Sequence, residues 1–264
     1  MTDADDVSFR AGQPVAWMFH RATCRWVHNT TEPPGVHLQQ ASKEDLDVEL
    51  VALPDPGTLD VSLGRAIRER VSTRAYAADG LSLEQVSTIL QAGYGVVGRT
   101  LFGQVEFLER AVPSGGGLYP LELYLIVRAV DGLEPGIHHY VPLHHGLELV
   151  RPGRLPEAFN TYLFLGQPYA TSAAAVVVLT AVTRRSLGKY GDRGYRYLLL
   201  EAGHAAQNIN LATVALGLGC CNLGGFFDEE LAAVIRADTE EEIPLYGVAL
   251  GVPSTNDRDG RRAI

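Results

Sequence analysis

The stretch VPSGGGLYPLELYLIV, Val112–Val127, decides how the chain is read. Its second half, LELYLIV, is an unbroken apolar run of strand length, the pattern of a strand covered on both faces. Its first half strips three consecutive residues, Gly115–Gly117, of every side chain, between prolines at 113 and 120. Bare backbone leading into a buried strand implies that something approaches too closely for a Cβ.

Working outward, LSLEQVSTILQAGYG (Leu81–Gly95) predicts a helix. Ser82 and Gln85 form a capping box, Leu81 and Val86 a hydrophobic staple, and Val86 and Leu90 an inward face. Before it, LDVSLGRAIRER predicts another helix, with Asp60 as N-cap and Leu63 and Ile67 on one apolar stripe. After the quoted stretch, IHHYVPLHHGLELV reads as a hairpin, Ala174–Val182 as a buried strand and LYGVALGV as a C-terminal strand. A long helix, roughly Gly194 to Leu216, lies between the last two and ends at Gly217 and Gly219. Strands among long helices without a repeated βαβ rhythm give an α+β fold. Residues 1–55, with scattered Trp17, Phe19 and Trp26, read as an N-terminal extension, and 56–264 as one domain.

The 264 residues are 46% hydrophobic and 20% charged, enough for one substantial core. A net charge of −9 argues against nucleic-acid binding. Cys24 and the adjacent Cys220–Cys221 make no disulfide framework, which favours a reducing compartment. The N-terminus has no apolar signal segment, and the most apolar run, Ala170–Val182, is too short and too β-branched to span a membrane; a cytoplasmic protein is expected.

Several motifs are set aside. GYGVVG, Gly93–Gly98, has dinucleotide-binding spacing but closes a helix where that motif must open one. His138–His139 and His144–His145 lack a completing ligand set and read as exposed hairpin residues. The two adjacent cysteines follow a helix C-terminus, where a thiolate is disfavoured. Glu201, His204 and Asn208 form a polar stripe on the long helix, read as a satisfied buried network in preference to a catalytic one. No G-x-S-x-G elbow presents a nucleophilic serine.

Four pieces make more sense together than apart. RERVSTRAY places Arg70, Ser72 and Arg74 two apart, so that an extended segment could bring all three to one anion. The glycine stretch is the second. CNLGGFFDEEL offers bare backbone at Gly224–Gly225, and SLGKYGDRGYR carries Lys189–Tyr190 followed by basic, glycine-punctuated chain. Jointly they suggest a flat, anionic, aromatic ligand cradled by backbone and gripped at its phosphate by arginines.

Together RVSTRAY, PSGGGLYPLELYLIV, KYGDRGYRYLLLEAGHAAQNINLATVALGLGCCNLGGF and LYGVALG resemble the nitroreductase-like flavoproteins, and more narrowly the SagB-type dehydrogenases, which oxidise azoline rings in ribosomal peptides. The resemblance runs from about Leu59 to Val252. It implies a central mixed sheet flanked by helices, a homodimer, and FMN as cofactor. Arg70 and Ser72 would hold the phosphate and ribityl, and Arg74 the pyrimidine edge. Pro113, Ser114, Gly115 and Gly117 would line the isoalloxazine. Gly224 and Gly225, with Leu223 beside them, would face N5 and O4, and Arg261 would add a cation at the phosphate. Val71 stands where the family often has a second basic residue. Lys189 and Tyr190 match the family's catalytic pair; Tyr190 would take or relay the proton lost with the hydride, tuned by Lys189, since neither group is a base at neutral pH without help. The implied substrate is a modified precursor peptide, with a cyclodehydratase as a possible partner. The alternatives are an NAD(P)H-dependent nitro- or ene-reductase and a non-catalytic subunit of a peptide-modifying complex.

Overall fold

The computed structural model describes residues 13–24, 43, 48–102 and 105–254; Arg261 and most of the N-terminal extension lie outside them. In chain order the elements are α1 (Pro14–Ala22), β1 (Leu50–Ala52), α2 (Leu63–Glu69), α3 (Leu83–Tyr94), β2 (Val96–Phe102), β3 (Val105–Arg110), β4 (Leu121–Val127), β5 (Gly136–Val141), β6 (Gly146–Pro152), α4 (Glu157–Leu163), α5 (Pro168–Ser172), β7 (Ala175–Val182), α6 (Thr183–Tyr190), α7 (Arg193–Ala215), β8 (Gly219–Leu223), α8 (Asp228–Val234) and β9 (Glu242–Gly251).

The apolar run of the quoted stretch is β4, buried at all seven positions. It sits in the middle of a seven-stranded sheet of order β1-β6-β5-β4-β7-β9-β8. Every ladder in that sheet is antiparallel, and a single parallel bridge, Ser72 to Cys220, is added at the β8 edge. The side chains of β4 alternate between two cores. Leu121, Leu123, Leu125 and Val127 pack with α3 and α7, through residues such as Ile89, Leu90, Leu198 and Ile209. Tyr124 and Ile126 pack on the opposite face with Leu163, Ala170 and Leu231 of α4, α5 and α8. The sheet begins at Leu50, and α1 docks on the start of α7, where Phe19 meets Tyr195 edge-on at 5.7 Å and Arg196 donates to the Thr23 hydroxyl.

The capping box of α3 is present, Ser82 and Gln85 bonding reciprocally. The glycines that follow end this helix and open β2. Gly93 permits close helix packing, because a Cβ there would lie 2.6 Å from Ile209 Cγ1 of α7. Two expectations for α2 are corrected. Its N-cap is Ser62, whose hydroxyl accepts from Arg65 N, while Asp60 accepts from the Thr58 hydroxyl. The stripe formed by Leu63 and Ile67 faces outward, 66% and 55% exposed, and the helix buries only Ala66.

The first histidine pair is a further correction: His138 and His139 are buried, because β5 lies inside the sheet with helices over both faces, whereas His144 is exposed as expected and His145 half-buried. His139 Nδ1 contacts Glu148 Oε2 at 2.8 Å and Nε2 contacts Glu122 Oε2 at 2.9 Å. Glu122 also receives Arg185 Nη1 of α6 at 2.6 Å, so charges of alternating sign run from β6 through β5 and β4 into α6. Burial opposes the charge on His139, but hydrogen bonds to Glu122 and Glu148, with their negative charge, prevail and push it up to about 9. A cation stabilised by folding contributes fully below the unfolded value near 6.5, and its contribution is lost as pH rises through the folded value. Thermal melts of the wild type and His139→Gln should therefore differ most near pH 6, with the gap narrowing between pH 7 and pH 10. A gap that stays constant over that range would show that His139 carries no folding-linked charge.

Candidate active site

The glycine stretch forms a single turn of 3-10 helix, Gly115–Gly117, between β3 and β4. Gly116 and Gly117 have φ of +70° and +67°, and Tyr119, which closes the turn, has φ +44°. The turn is tied internally. Gly117 N donates to Ser114 O at 3.1 Å, and Tyr119 N donates to Ser114 Oγ at 2.9 Å. It is also tied to the helix that follows β7, since Arg185 Nη1 donates to Tyr119 O at 3.2 Å while paired with Glu122.

Arg185 stands one helical turn before Lys189 on α6, so the same helix that grips the base of the turn delivers Lys189 and Tyr190 to its tip. A Cβ on Gly116 would collide with the Tyr190 hydroxyl and would lie 2.7 Å from Lys189 Nζ. One on Gly115 would press the Tyr197 ring at 3.3 Å, whereas Gly117 faces open space. Lys189 Nζ lies 5.4 Å from the centre of the Tyr190 ring, which meets Tyr197 edge-on at 4.9 Å; Arg193 covers the Tyr197 ring at 5.7 Å. Sequence alone placed a ligand against these glycines, but in this chain the Lys–Tyr pair itself occupies the space next to Gly116.

The other two pieces meet at the β8 edge. After α2 the chain is extended, Ser72 bridges Cys220, and Thr73 N donates to Cys220 O at 2.8 Å. Alternation buries Thr73 and leaves Arg74 exposed, with Arg70 and Ser72 at half-buried positions. Arg74 lies over the Tyr169 ring at 6.0 Å. Tyr169 donates its hydroxyl proton to Gln167 Oε1, and Gln167 Nε2 donates to Gly225 O at 2.8 Å. These two side chains connect the arginine segment to the glycine pair, and no sequence motif announced them; the one local signal was Pro168, which starts α5. Gly224 is exposed, Leu223 is buried at the end of β8, and burial pushes the neighbouring Cys220 thiol up to about 12, so this cysteine is inert.

The polar stripe on α7 divides. Asn208 Nδ2 donates to Ala92 O and Ala111 O, each at 3.1 Å, and His204 is exposed. Glu201 is buried and accepts from the Tyr94 hydroxyl at 2.7 Å.

The contacts thus gather the four pieces into two surface half-sites: the glycine turn with Lys189 and Tyr190, and the Arg70–Arg74 segment with Gly224 and Gly225. A cavity of about 560 Å³ between β4, β7, α4 and α5 contains none of these residues. The turn can be tested directly. Gly116→Ala and Gly117→Ala both incur the left-handed backbone cost of about 1–2 kcal/mol, but only the Gly116 substitution meets side chains. It should lower Tm clearly more than Gly117→Ala; equal losses would contradict the packing described.

Comparison with known proteins agrees with this architecture. Residues 67–252 match the Nitroreductase family. The nitroreductase-type protein MJ1384 of Methanocaldococcus jannaschii is 35% identical over 208 residues, covering 78% of this chain and 97% of its own. The microcin B17-processing protein McbC of Escherichia coli is 29% identical over 147 residues, 52% of either chain. A nitroreductase-type structure from Anabaena variabilis superposes with a TM-score of 0.71 at 27% identity, over 90% of this chain and 47% of that one. The E. coli microcin synthetase McbBCD complex with truncated pro-MccB17 bound has a chain of the same fold, with TM-score 0.59 at 22% identity over 91% of this chain and 92% of that one. The sequence match thus covers about half of McbC, and the present chain spans about half the length of the Anabaena protein. No helix among the described residues is long and apolar enough to cross a membrane. With its family match, its antiparallel sheet and its two half-sites in place, this chain belongs to the nitroreductase family.

Proposed function

We propose that the protein is an FMN-dependent oxidoreductase that oxidises azoline rings in a ribosomally made, modified peptide, working as a homodimer. The observation that carries this reading is the contact of Lys189 and Tyr190 with the side-chain-free turn, which puts a proton-handling pair against the backbone where a flat ring would lie. The residues fit the nucleotide: Arg70, Ser72 and Arg74 lie on an extended segment suited to a phosphate and a pyrimidine edge, and Pro113, Gly116 and Gly117 leave backbone exposed. Leu223, Gly224 and Gly225 would complete the edge facing the reacting atoms. Bound FMN would supply a two-electron acceptor for hydride.

The chain's own residues would do the rest. Pro113, Ser114, Gly115 and Gly117 would hold the ring plane. Tyr190 would take the proton lost from the azoline Cα as a phenolate and end as the neutral phenol, with the Lys189 ammonium, 5.4 Å from the ring centre, stabilising the phenolate before the transfer. Tyr197 and Arg193 would hold the Tyr190 ring in place.

Neither half-site encloses a ligand by itself, whereas sites of this kind bury most of what they bind. Beside them, α2 exposes Leu63 and Ile67, and α7 exposes Leu199 and Leu200, 43% and 59% accessible. A second copy packed on these helices would cover that apolar surface and set the half-sites of two chains against each other. The identity with McbC, named for processing microcin B17, supports a peptide substrate and, with it, association with a cyclodehydratase.

A second reading, an NAD(P)H-dependent nitroreductase, draws support from MJ1384, matched over nearly its whole length. One experiment separates the two. Purified protein loaded with FMN is mixed anaerobically with an azoline-containing peptide, and separately with NADPH and a nitroaromatic compound, while the flavin absorbance is followed. Bleaching by the peptide supports the proposal; bleaching by NADPH alone supports the second reading. Lys189→Ala and Tyr190→Phe should keep the flavin and lose about 10²-fold or more of peptide oxidation. Full turnover in both variants would remove the pair from the mechanism.

A further inference from the structure

Glu201 lies next to the glycine turn at Ser114, one helical turn after Tyr197 on α7. It projects from the middle of α7 and is 2% exposed. Oε1 accepts from the Tyr94 hydroxyl, which itself accepts from Leu121 N at 3.1 Å, so this carboxyl is bonded into the start of β4. Oε2 is buried and makes no hydrogen bond. The groups that face the carboxyl are Tyr94 from α3, Ser114 from the turn, Arg110 at the end of β3 and Arg185 from α6. Arg110 lies over the Tyr94 and Tyr119 rings, at 4.4 and 5.3 Å.

A carboxylate with one oxygen buried and unbonded is in a poor environment for its charge, whereas the neutral acid is far less penalised there. Burial accordingly pushes Glu201 up to about 7, against the pull of Ser114, Tyr94, Arg110 and Arg185. Ser114 is the residue whose hydroxyl holds Tyr119 N and closes the turn.

We propose that Glu201 is a positioning residue that controls the charge beneath the flavin-facing turn: protonated, it leaves the floor of the site neutral, and ionised, it sets a negative charge behind Ser114 that disfavours the anionic, reduced flavin. The inference rests on the reading that FMN lies along Pro113–Gly117. By linkage the effect is reciprocal: if the ionised carboxyl makes reduction harder, reduction makes the carboxyl hold its proton more tightly. Reduction would then carry additional proton uptake around neutral pH.

Two measurements on the wild type and Glu201→Gln test this. The first is thermal stability of the FMN-free protein from pH 5 to pH 9. An acid whose folded value is raised contributes fully below its unfolded value and loses that contribution as pH rises through the folded one. The variant should therefore gain on the wild type as pH rises from about 4.5 through about 7, and parallel curves would overturn the proposal. The second is the flavin midpoint potential of the FMN-loaded protein. The two proteins should agree at pH 5.5, with Glu201→Gln at the higher potential by pH 8.5. Equal potentials at both pH values would overturn the proposal while leaving the cofactor assignment intact. Protein that binds no FMN would sink the cofactor assignment, and this inference with it. If Glu201→Gln does not fold, the wild type decides by itself: its potential must fall more steeply with pH around 7 than on either side, and a constant slope would overturn the proposal.

Discussion

The architecture depends on the contact between a backbone turn without side chains and the paired Lys189 and Tyr190. Sheet, cores and helices all bear on keeping that contact in register. The turn joins β3 to the most central strand of the sheet, whose alternating side chains supply both cores. The pair ends the short helix that follows β7, the strand paired with β4 along its whole length. Two neighbouring strands therefore carry the two sides of the contact, and neither side can drift without disturbing a ladder buried on both faces.

Buried charge fixes the register further. Arg185 pairs with Glu122 inside β4 and donates to the carbonyl of Tyr119, so one guanidinium spans the strand, the turn and the helix. Glu122 is compensated from the other side by His139, which reaches Glu148 in turn. Buried ion pairs carry a desolvation cost that often cancels their attraction, while removing one partner leaves an uncompensated charge worth several kcal/mol (about 3–5). Such a row adds little net stability and makes misalignment of α6 against the sheet expensive. Glu201 differs, because its burial outweighs the pull of Ser114, Tyr94, Arg110 and Arg185, and that makes it the titratable group under the turn.

Much of the fold was legible because local signals and burial agreed. The capping box marked the start of α3, and continuous apolar runs marked β4 and β7. Where they disagreed, the reading failed. Strand β8 is five residues long and begins at a glycine four residues past the end of α7, so Gly219 looked like a helix terminator and the strand went unread. Leu63 and Ile67 have core spacing yet face outward, because spacing reports a stripe and cannot say what covers it. The histidines of β5 looked polar enough for an exposed hairpin, and only the strand order shows them enclosed. At the site, residue types and glycines were readable, but their partners were not. That Gly116 faces Tyr190, or that Tyr169 and Gln167 join Arg74 to Gly225, depends on contacts across 50 to 150 residues of chain that no local pattern encodes.

A crystal structure of the protein with FMN bound is the most direct test of the central claim. The account predicts the isoalloxazine ring lying on the backbone of Gly115–Gly117, with Tyr190 beside its reactive edge and Arg70 and Arg74, from the facing copy of the chain, on its phosphate and pyrimidine ends. Nucleotide bound away from that turn, with Lys189 and Tyr190 far from the ring, would contradict it.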